Sequence, residues 1–143
     1  MGEAREVMDR LTNALTTGTD LKAVMECFAE DAVAVTPDGE VKGRENIGEY
    51  WRQMTDALPD STYESTYAYE CGDTAIDEGY FAGRNTGPLV LPSGESLEPT
   101  QREVRVRGCD AATVKDGKIV SYRLYFDQLD FLGQLGLLPN APV

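Results

Sequence analysis

Histidine is absent from all 143 residues of the chain, so no imidazole can serve as a base, a metal ligand or the partner of a nucleophile. Cysteine is scarce: Cys27, Cys71 and Cys109 are an odd number without CxxC spacing, which predicts neither a disulfide framework nor a zinc site. We therefore expect free thiols, no metal and no cofactor.

Long apolar runs are also missing. No segment reaches membrane-spanning length, and the first six residues lack the apolar stretch of a secretion signal. These absences predict a cytoplasmic protein that does not bind membranes.

Positive charge is in short supply, with a net charge of -12 and a pI near 4.3. Such a chain repels phosphate backbones and anionic lipid surfaces, so nucleic acid is excluded as a partner. Arg105 and Arg107 share one strand face and come closest to a basic patch, but Glu103 beside them offsets part of the charge. A solvated or subunit-facing strand is the simpler interpretation.

The length suits one compact domain over residues 1–143. Its first part has helical apolar spacing. One stripe predicts a first helix ending near Gly18, a second helix is capped by Thr19 or Asp20 and extends its apolar pattern to Phe28, and a third runs from about Gly43 to Pro59. The first stripe consists of Ala4, Val7, Met8, Leu11 and Leu15.

Strands dominate the rest. A short strand from Asp31 to Val35 precedes a turn at Thr36-Pro37-Asp38-Gly39, and from Thr62 onward the apolar period changes to two. The later strands are predicted from Thr62, over Thr74–Arg84, over Gln101–Val114 and, after the Asp116-Gly117 hairpin turn, over Lys118–Phe126. Helices followed by consecutive strands predict an α+β fold, with the helices on one face of a strongly curved antiparallel sheet.

Six short segments indicate the fold family. They are Phe28-Ala-Glu-Asp-Ala32, Gly43-Arg-Glu-Asn-Ile47, Val106-Arg-Gly-Cys-Asp110, Asp116-Gly-Lys-Ile119, Tyr125-Phe-Asp-Gln-Leu129 and Gln134-Leu-Gly-Leu-Leu138. Together with the order of the elements, these segments resemble the SnoaL-like proteins of the nuclear transport factor 2-like superfamily. The resemblance covers nearly the whole chain. It implies a cone-shaped sheet packed with the N-terminal helices around a single pocket, with a short C-terminal helix.

The same resemblance places individual residues. Asp110 matches the aspartic acid that ketosteroid isomerases keep protonated as an oxyanion donor. Thr36 and Leu11 stand where those enzymes carry their carboxylate base and their tyrosine. Steroid-type isomerisation is therefore not expected, unless another base enters the pocket.

The catalytic residues of other enzymes in the superfamily are also replaced in this chain. Gly79, Phe81 and Leu124 stand where limonene epoxide hydrolases carry an arginine between two aspartates. Leu124 also replaces the proposed acid/base aspartate of SnoaL-type cyclases, and Asp110 replaces their accompanying histidine. The family's usual chemistry is therefore altered in this chain.

Two aspartates remain as candidate catalytic residues. Asp77 alternates onto the same strand face as Gly79 and Phe81, so Asp77 and Asp110 could present two carboxylates to one cavity and form an acid/base pair. The alternative is that either aspartate makes a structural hydrogen bond to a tyrosine. Asp127 is interpreted as the cap of the terminal helix.

Aromatic and apolar side chains are the candidate ligand contacts, although such residues are more often plain core. They are Trp51, Tyr67, Tyr69, Phe81, Tyr122, Leu124 and Phe126.

Three hypotheses remain open. The first is a cofactor-independent enzyme performing cyclase-like or isomerase-like acid–base chemistry on an apolar, oxygenated small molecule such as a polyketide. The second is a non-catalytic pocket protein that binds such a ligand. The third, a protein adaptor, ranks last because Arg105, Arg107, Thr113 and Arg123 make the outer sheet face polar. The resemblance also implies a homodimer formed through the open sheet face.

Overall fold

Helices occupy the first part of the chain and strands most of the remainder, which confirms the predicted α+β class. The computed structural model describes residues 2–16, 19–91 and 93–138. The helices are α1 (Glu3–Thr16), α2 (Leu21–Glu26), α3 (Arg44–Ala57) and α4 (Gln128–Gln134). The strands are β1 (Phe28–Thr36), β2 (Gly39–Lys42), β3 (Thr62–Cys71), β4 (Thr74–Arg84), β5 (Leu89–Val90), β6 (Ser96–Leu97), β7 (Glu103–Lys115) and β8 (Lys118–Phe126). The first helix end expected near Gly18 lies outside the described residues.

Six strands form one sheet in the order β2-β1-β8-β7-β4-β3, and β5 with β6 forms a separate small hairpin. All neighbours are antiparallel except β1 and β8, which are parallel. The β7–β8 turn is the predicted Asp116-Gly117 hairpin, where both residues adopt the left-handed conformation at φ 53° and 77°. The sequence did not predict β2, β5 or β6, which are two to four residues long.

Phe28 belongs to β1 rather than to the second helix, which ends at Glu26. The residue is fully buried and lies opposite Ile119 of β8. A buried apolar position satisfies a helical period and a strand equally well, so periodicity alone misplaced it by one element.

Two apolar clusters fill the inner side of the sheet. The first joins α1, α2 and α3 to β1, β7 and β8, and includes Met8, Phe28, Trp51 and Tyr122. The second joins the end of α3, the β5 region and α4 to β7, and includes Leu58, Val106 and Phe131. Among the described helices, none has both the length and the apolar character needed to cross a membrane.

Asn85 anchors the long connection between β4 and β7. Its side chain is buried, donates to the carbonyls of Ala57 and Gly87, each at 3.0 Å, and accepts from the Thr100 amide at 2.8 Å and the Thr100 hydroxyl at 3.0 Å. A buried amide with all these bonds holds both ends of the connection beside α3.

Asp127 starts α4 as predicted. Its side chain accepts from the Asp130 amide at 3.0 Å, which satisfies one free N–H of the first turn. At the other end, the Gln134 side chain accepts from the Arg105 amide at 2.7 Å and donates to the Arg105 carbonyl at 2.9 Å. α4 is thus held against β7, with Phe131 pointing into the second cluster.

Removing the cap tests this arrangement. Asp127→Ala should lower the free energy of unfolding by about 1 kcal/mol, because the first turn of α4 loses its side-chain acceptor. Chemical denaturation followed by circular dichroism measures the change. Asp127→Asn keeps an acceptor oxygen and should stay within a few tenths of a kcal/mol of the parent protein. Equal losses in both variants would contradict the capping role.

Candidate functional site

A cavity of about 120 Å³ lies between the two apolar clusters, on the inner side of the sheet. The helices contribute Thr12, Leu15, Thr16, Trp51, Met54 and Thr55. The sheet, α4 and the α3–β3 connection contribute Ser61, Tyr63, Phe81, Val106, Gly108, Cys109, Asp110, Tyr122, Leu124, Phe126 and Phe131. Asp110 is the one charged residue among these described lining residues. The cavity therefore offers a single carboxyl group in a mostly apolar wall.

Asp110 lies in β7, opposite Asp77 of β4 on one side and Leu124 of β8 on the other. The Tyr122 hydroxyl donates a hydrogen bond to Asp110 Oδ2 at 2.5 Å. No side chain of another described residue donates a hydrogen bond to Asp110 Oδ1. Burial raises the pKa of Asp110 to about 6, although the Tyr122 hydrogen bond favours the ionised form. The group thus exchanges a proton near neutral pH, where an ordinary aspartate stays ionised.

Asp77 is also buried but does not line the cavity. Arg5 of α1 places its Nη2 atom 2.7 Å from Oδ1 and 2.9 Å from Oδ2 of Asp77. Both side chains are almost fully covered, with relative exposures of 9% for Arg5 and 6% for Asp77. Arg5 also donates to Asp9 at 3.0 Å and to the Tyr69 carbonyl at 3.3 Å. The sequence predicted that Asp77 and Asp110 could present two carboxylates to one cavity. They are paired across β4 and β7, but Asp77 contacts Arg5 instead of lining the cavity, and sequence reasoning missed Arg5 as its partner.

This arrangement separates the two carboxylates electrostatically. The Asp77 charge raises the pKa of Asp110 and the Arg5 charge lowers it, both less than burial does. The guanidinium offsets the charge of Asp77, and of the two aspartates only Asp110 faces the cavity.

Five of the seven predicted ligand contacts line the cavity, namely Trp51, Phe81, Tyr122, Leu124 and Phe126. Tyr67 and Tyr69 do not, and each is 54% exposed. The cause is a β-bulge in β3: Ser65 lies opposite Gly79, but Tyr67 already lies opposite Glu78. One extra residue inverts the alternation, so both tyrosines stand on the outer face of the sheet.

Tyr63 lies before the bulge and stays inside. Its partner in β4 is Phe81, and its ring extends over Gly79. A Cβ atom at Gly79 would stand 2.1 Å from the Glu64 carbonyl oxygen and 2.7 Å from the Tyr63 hydroxyl, so the glycine is required by the close backbone of β3 and also leaves room for this phenol. Tyr63 is not among the ligand contacts predicted from the sequence, so sequence reasoning missed it. The signal that could have singled it out is the glycine at position 79 of the neighbouring strand.

A second cavity of about 140 Å³ adjoins the first and shares Met54, Phe126 and Phe131 with it. Its polar rim includes Asp38 and Gln128, whose side chains are hydrogen-bonded to each other. Asp38 lies at an exposed turn, so its carboxylate is solvated, unlike that of Asp110. The described residues contain no group of three or more acidic, cysteine or histidine side chains suited to a metal.

The sequence profile of the SnoaL-like domain matches residues 8–122, and the chain belongs to this family. No curated protein matches the chain significantly. Among solved structures, a candidate SnoaL-like polyketide cyclase from Jannaschia sp. CCS1 aligns with a TM-score of 0.83 at 17% identity, covering 96% of this chain and 94% of the other. The candidate polyketide cyclase IdmH from Streptomyces antibioticus aligns with a TM-score of 0.76 at 24% identity, covering 94% and 99%.

TerC, co-crystallised with polyporic acid, aligns with a TM-score of 0.74 at 15% identity and covers 94% and 99% of the two chains. At identities this low, the structural alignments show a shared fold alone, which confirms the cone-type α+β architecture. The match to the SnoaL-like domain confirms the family resemblance drawn from the sequence.

The buried ion pair generates a stability prediction. Arg5→Met should lower the free energy of unfolding by about 3 kcal/mol, because it leaves the Asp77 charge buried without its partner. Arg84→Met removes the ion pair with Glu103, whose side chains are 52% and 73% exposed, and should cost under about 1 kcal/mol. Chemical denaturation of both variants measures the difference. A loss as small for Arg5→Met as for Arg84→Met would show that the pair is not desolvated.

Proposed function

We propose that the protein is a cofactor-independent acid–base enzyme of the SnoaL-like type, acting on an apolar, oxygenated small molecule. One observation carries the proposal: a lone carboxyl group with a pKa raised to about 6 projects from β7 into an otherwise uncharged cavity. A group that both binds and releases a proton near pH 6 is matched to general acid–base catalysis.

The reaction that suits this geometry is proton removal from a carbon next to a carbonyl group. The Tyr122 hydroxyl holds Oδ2 of Asp110, so Oδ1 is the atom that takes the proton. As the C–H bond breaks, its electron pair forms the enolate and the negative charge moves to the substrate oxygen. Returning the proton to the same carbon gives exchange, and returning it to another atom gives an isomerisation. Attack of the enolate on a second carbonyl forms a C–C bond and an alkoxide, which takes the proton back from Asp110 and gives a cyclisation.

The side chains that line the cavity indicate the class of substrate. Aromatic and aliphatic side chains line most of the cavity, which favours rings or chains with few polar groups. The net charge of -12 disfavours substrates that carry negative charge. TerC was crystallised with polyporic acid, and two of the aligned structures are candidate polyketide cyclases, which supports an oxygenated, polyketide-like substrate.

A specific observation favours a second candidate, a non-catalytic protein that binds the same kind of ligand. Leu124 lies directly opposite Asp110, where the resembling cyclases carry an aspartate, and Asp77 is engaged with Arg5. The cavity therefore holds one carboxylate where related mechanisms use two charged groups. A binder would retain the apolar cavity and use Asp110 only as a hydrogen-bonding partner.

Hydrogen–deuterium exchange separates these candidates. 2-Tetralone is apolar, bicyclic and enolisable, and an enzyme with Asp110 as base should exchange its α-protons in D₂O faster than buffer does. The rate should rise with pH to a plateau, with a midpoint near 6, because only the ionised carboxylate accepts a proton. Proton NMR of the ketone follows the loss of the α-proton signals.

Asp110→Asn should reduce this exchange by about 100-fold or more, because the amide cannot accept the proton. The variant keeps an oxygen that accepts from Tyr122, so its fold and its affinity for the ketone should be retained. Exchange that persists in Asp110→Asn would contradict the assigned base. Binding of the ketone without any exchange in the parent protein would favour the non-catalytic candidate.

We also propose that the chain forms a homodimer through the outer face of the sheet. Tyr67, Glu78, Cys109 and Tyr125 form one row across four strands, with Tyr67 and Tyr125 exposed by 54% and 59%. Arg105 lies 3.7 Å above the Tyr80 ring on the same face. Exposed tyrosines flanked by charges of both signs suit a two-fold interface, in which each patch meets its own copy.

Sedimentation equilibrium tests the assembly. The parent protein should have twice the chain mass at micromolar concentration, and the double variant Tyr67→Glu with Tyr125→Glu should be monomeric, because four added charges would face one another across the interface. Leu129→Glu is the matched control, since Leu129 is 67% exposed on α4, and it should remain dimeric. A monomeric parent protein would rule the proposal out.

A further inference from the structure

The Tyr63 phenol lines the cavity and has a hydroxyl that is available to donate a hydrogen bond to a ligand. It lies over Gly79, and no described residue serves as its hydrogen-bond partner. Gly79 is paired with Gly108 of β7, and Asp110 is the next inward-facing residue along that strand. The Asp110 charge helps raise the pKa of Tyr63, although burial is the larger cause, so the two groups are close and the phenol stays protonated.

Four other hydroxyls of the cavity are already hydrogen-bonded. Thr12, Thr16 and Thr55 donate to helix carbonyls at 3.1, 2.8 and 3.1 Å, and Tyr122 donates to Asp110. The Ser61 hydroxyl has no such bond to a described residue, but Ser61 packs against Gly83, four residues beyond Gly79 along β4 and roughly 13 Å from it, so it lies at the far end of the cavity from Asp110.

The Trp51 indole nitrogen also lacks an acceptor among the described residues, but it has almost no accessible surface. A ligand in the cavity would not reach this atom without a movement of its neighbours. Tyr63 is therefore the neutral donor that a bound carbonyl oxygen can meet.

We propose that Tyr63 is a catalytic residue that donates a hydrogen bond to the substrate carbonyl while Asp110 removes the neighbouring proton. This rests on the proposed function and names a second group of the same site. In the step, the C–H bond breaks, the proton moves to Asp110 Oδ1, and the electron pair forms the C=C bond of an enolate. The Tyr63 O–H bond stays intact and its hydrogen bond strengthens as charge builds on the oxygen.

The position of Tyr63 also restricts the substrate. The phenol and the carboxyl group approach the cavity from neighbouring parts of the sheet floor, so they address two adjacent atoms of one ligand rather than its two ends. A ketone with an α-hydrogen meets this requirement, whereas an ester or ether without an acidic C–H bond does not. The positions of Tyr63 and Asp110 therefore restrict the substrate class to enolisable ketones.

Infrared spectroscopy of bound 2-tetralone labelled with ¹³C at its carbonyl tests the contact directly. In the parent protein the carbonyl stretch should lie below its position in an apolar solvent, because a hydrogen bond weakens the C=O bond. In Tyr63→Phe the band should return toward the apolar-solvent position. Tyr69→Phe, the same change on the outer face and outside the row of residues proposed for the dimer interface, should leave the band where it is in the parent protein.

Exchange kinetics provide a second readout. Tyr63→Phe should slow α-proton exchange on the order of 100-fold, as removal of one oxyanion donor does elsewhere, and keep the pH midpoint near 6. Tyr122→Phe should instead move the midpoint upward, because Asp110 would lose the bond that favours its ionised form.

The outcomes separate the two proposals. An unchanged carbonyl band in Tyr63→Phe, with the ketone still bound, overturns the role of Tyr63 whatever the exchange rate. A shifted band in the parent protein that returns toward the apolar-solvent position in Tyr63→Phe, without any exchange in the parent, supports Tyr63 as a ligand contact and counts against the proposed enzyme activity. Loss of folding in Tyr63→Phe would itself be visible by circular dichroism, and a Tyr63→Trp variant, which retains an N–H donor, would then be expected to restore part of the shift.

Discussion

The unbroken pairing of β4 with β7 is the constraint on which the rest of the site depends. The two strands stay in register from Thr74 opposite Thr113 to Arg84 opposite Glu103. Three consecutive inward-facing pairs of this ladder are Asp77 with Asp110, Gly79 with Gly108, and Phe81 with Val106. A charged end, a hollow centre and an apolar end therefore follow one another along the floor of the cavity. Because each pair is fixed by backbone hydrogen bonds, a shift of one residue would exchange inner and outer faces and remove all three features at once.

Two ionised aspartates side by side in a buried part of a sheet repel each other and destabilise the fold. A residue of α1 reduces this repulsion. Arg5 reaches from the helix to Asp77 and neutralises it, so only Asp110 carries an unbalanced charge toward the cavity. The contact joins the first turn of the chain to the central strands, and it couples packing to chemistry. If Arg5 moved away, Asp110 would lose a positive charge that lowers its pKa and would keep the nearby Asp77 charge that raises it, so the pKa of Asp110 depends on the position of α1.

The sequence predicted what depends on local pattern and missed what depends on register irregularity or long-range contact. Alternation along β8 correctly put Tyr122, Leu124 and Phe126 on one face, and the residues after Asp127 identified it as a cap. The bulge between Ser65 and Tyr67 has no such signal, because residues on either side of it are equally polar or aromatic. Alternation carried through that point assigned Tyr67 and Tyr69 to the wrong face.

Arg5 was missed for a different reason. In the sequence it is one charged residue on an amphipathic helix, and 72 positions separate it from Asp77. Helical periodicity predicts which residues of α1 face the sheet, but an arginine at the margin of the apolar stripe is ordinarily solvated. Burial of the guanidinium is favourable only because Asp77 lies beside it in β4. No pattern in the residues around Arg5 predicts that contact.

Leu124 acquires a physical meaning from this arrangement. It lies opposite Asp110, at the position where the sequence resemblance places an aspartate in related cyclases, so an acidic residue there would place a further negative charge beside the first. In the proposed reaction, leucine at this position leaves the cavity with one negative charge before and after proton transfer: the charge starts on Asp110 and ends on the substrate oxygen, next to the neutral Tyr63 phenol. A second carboxylate would repel the developing enolate in an apolar environment, where such repulsion is poorly screened. Leucine at position 124 and the position of Tyr63 over Gly79 are therefore both consistent with the proposed chemistry, in which one carboxylate moves the proton and an uncharged donor stabilises the charge that results.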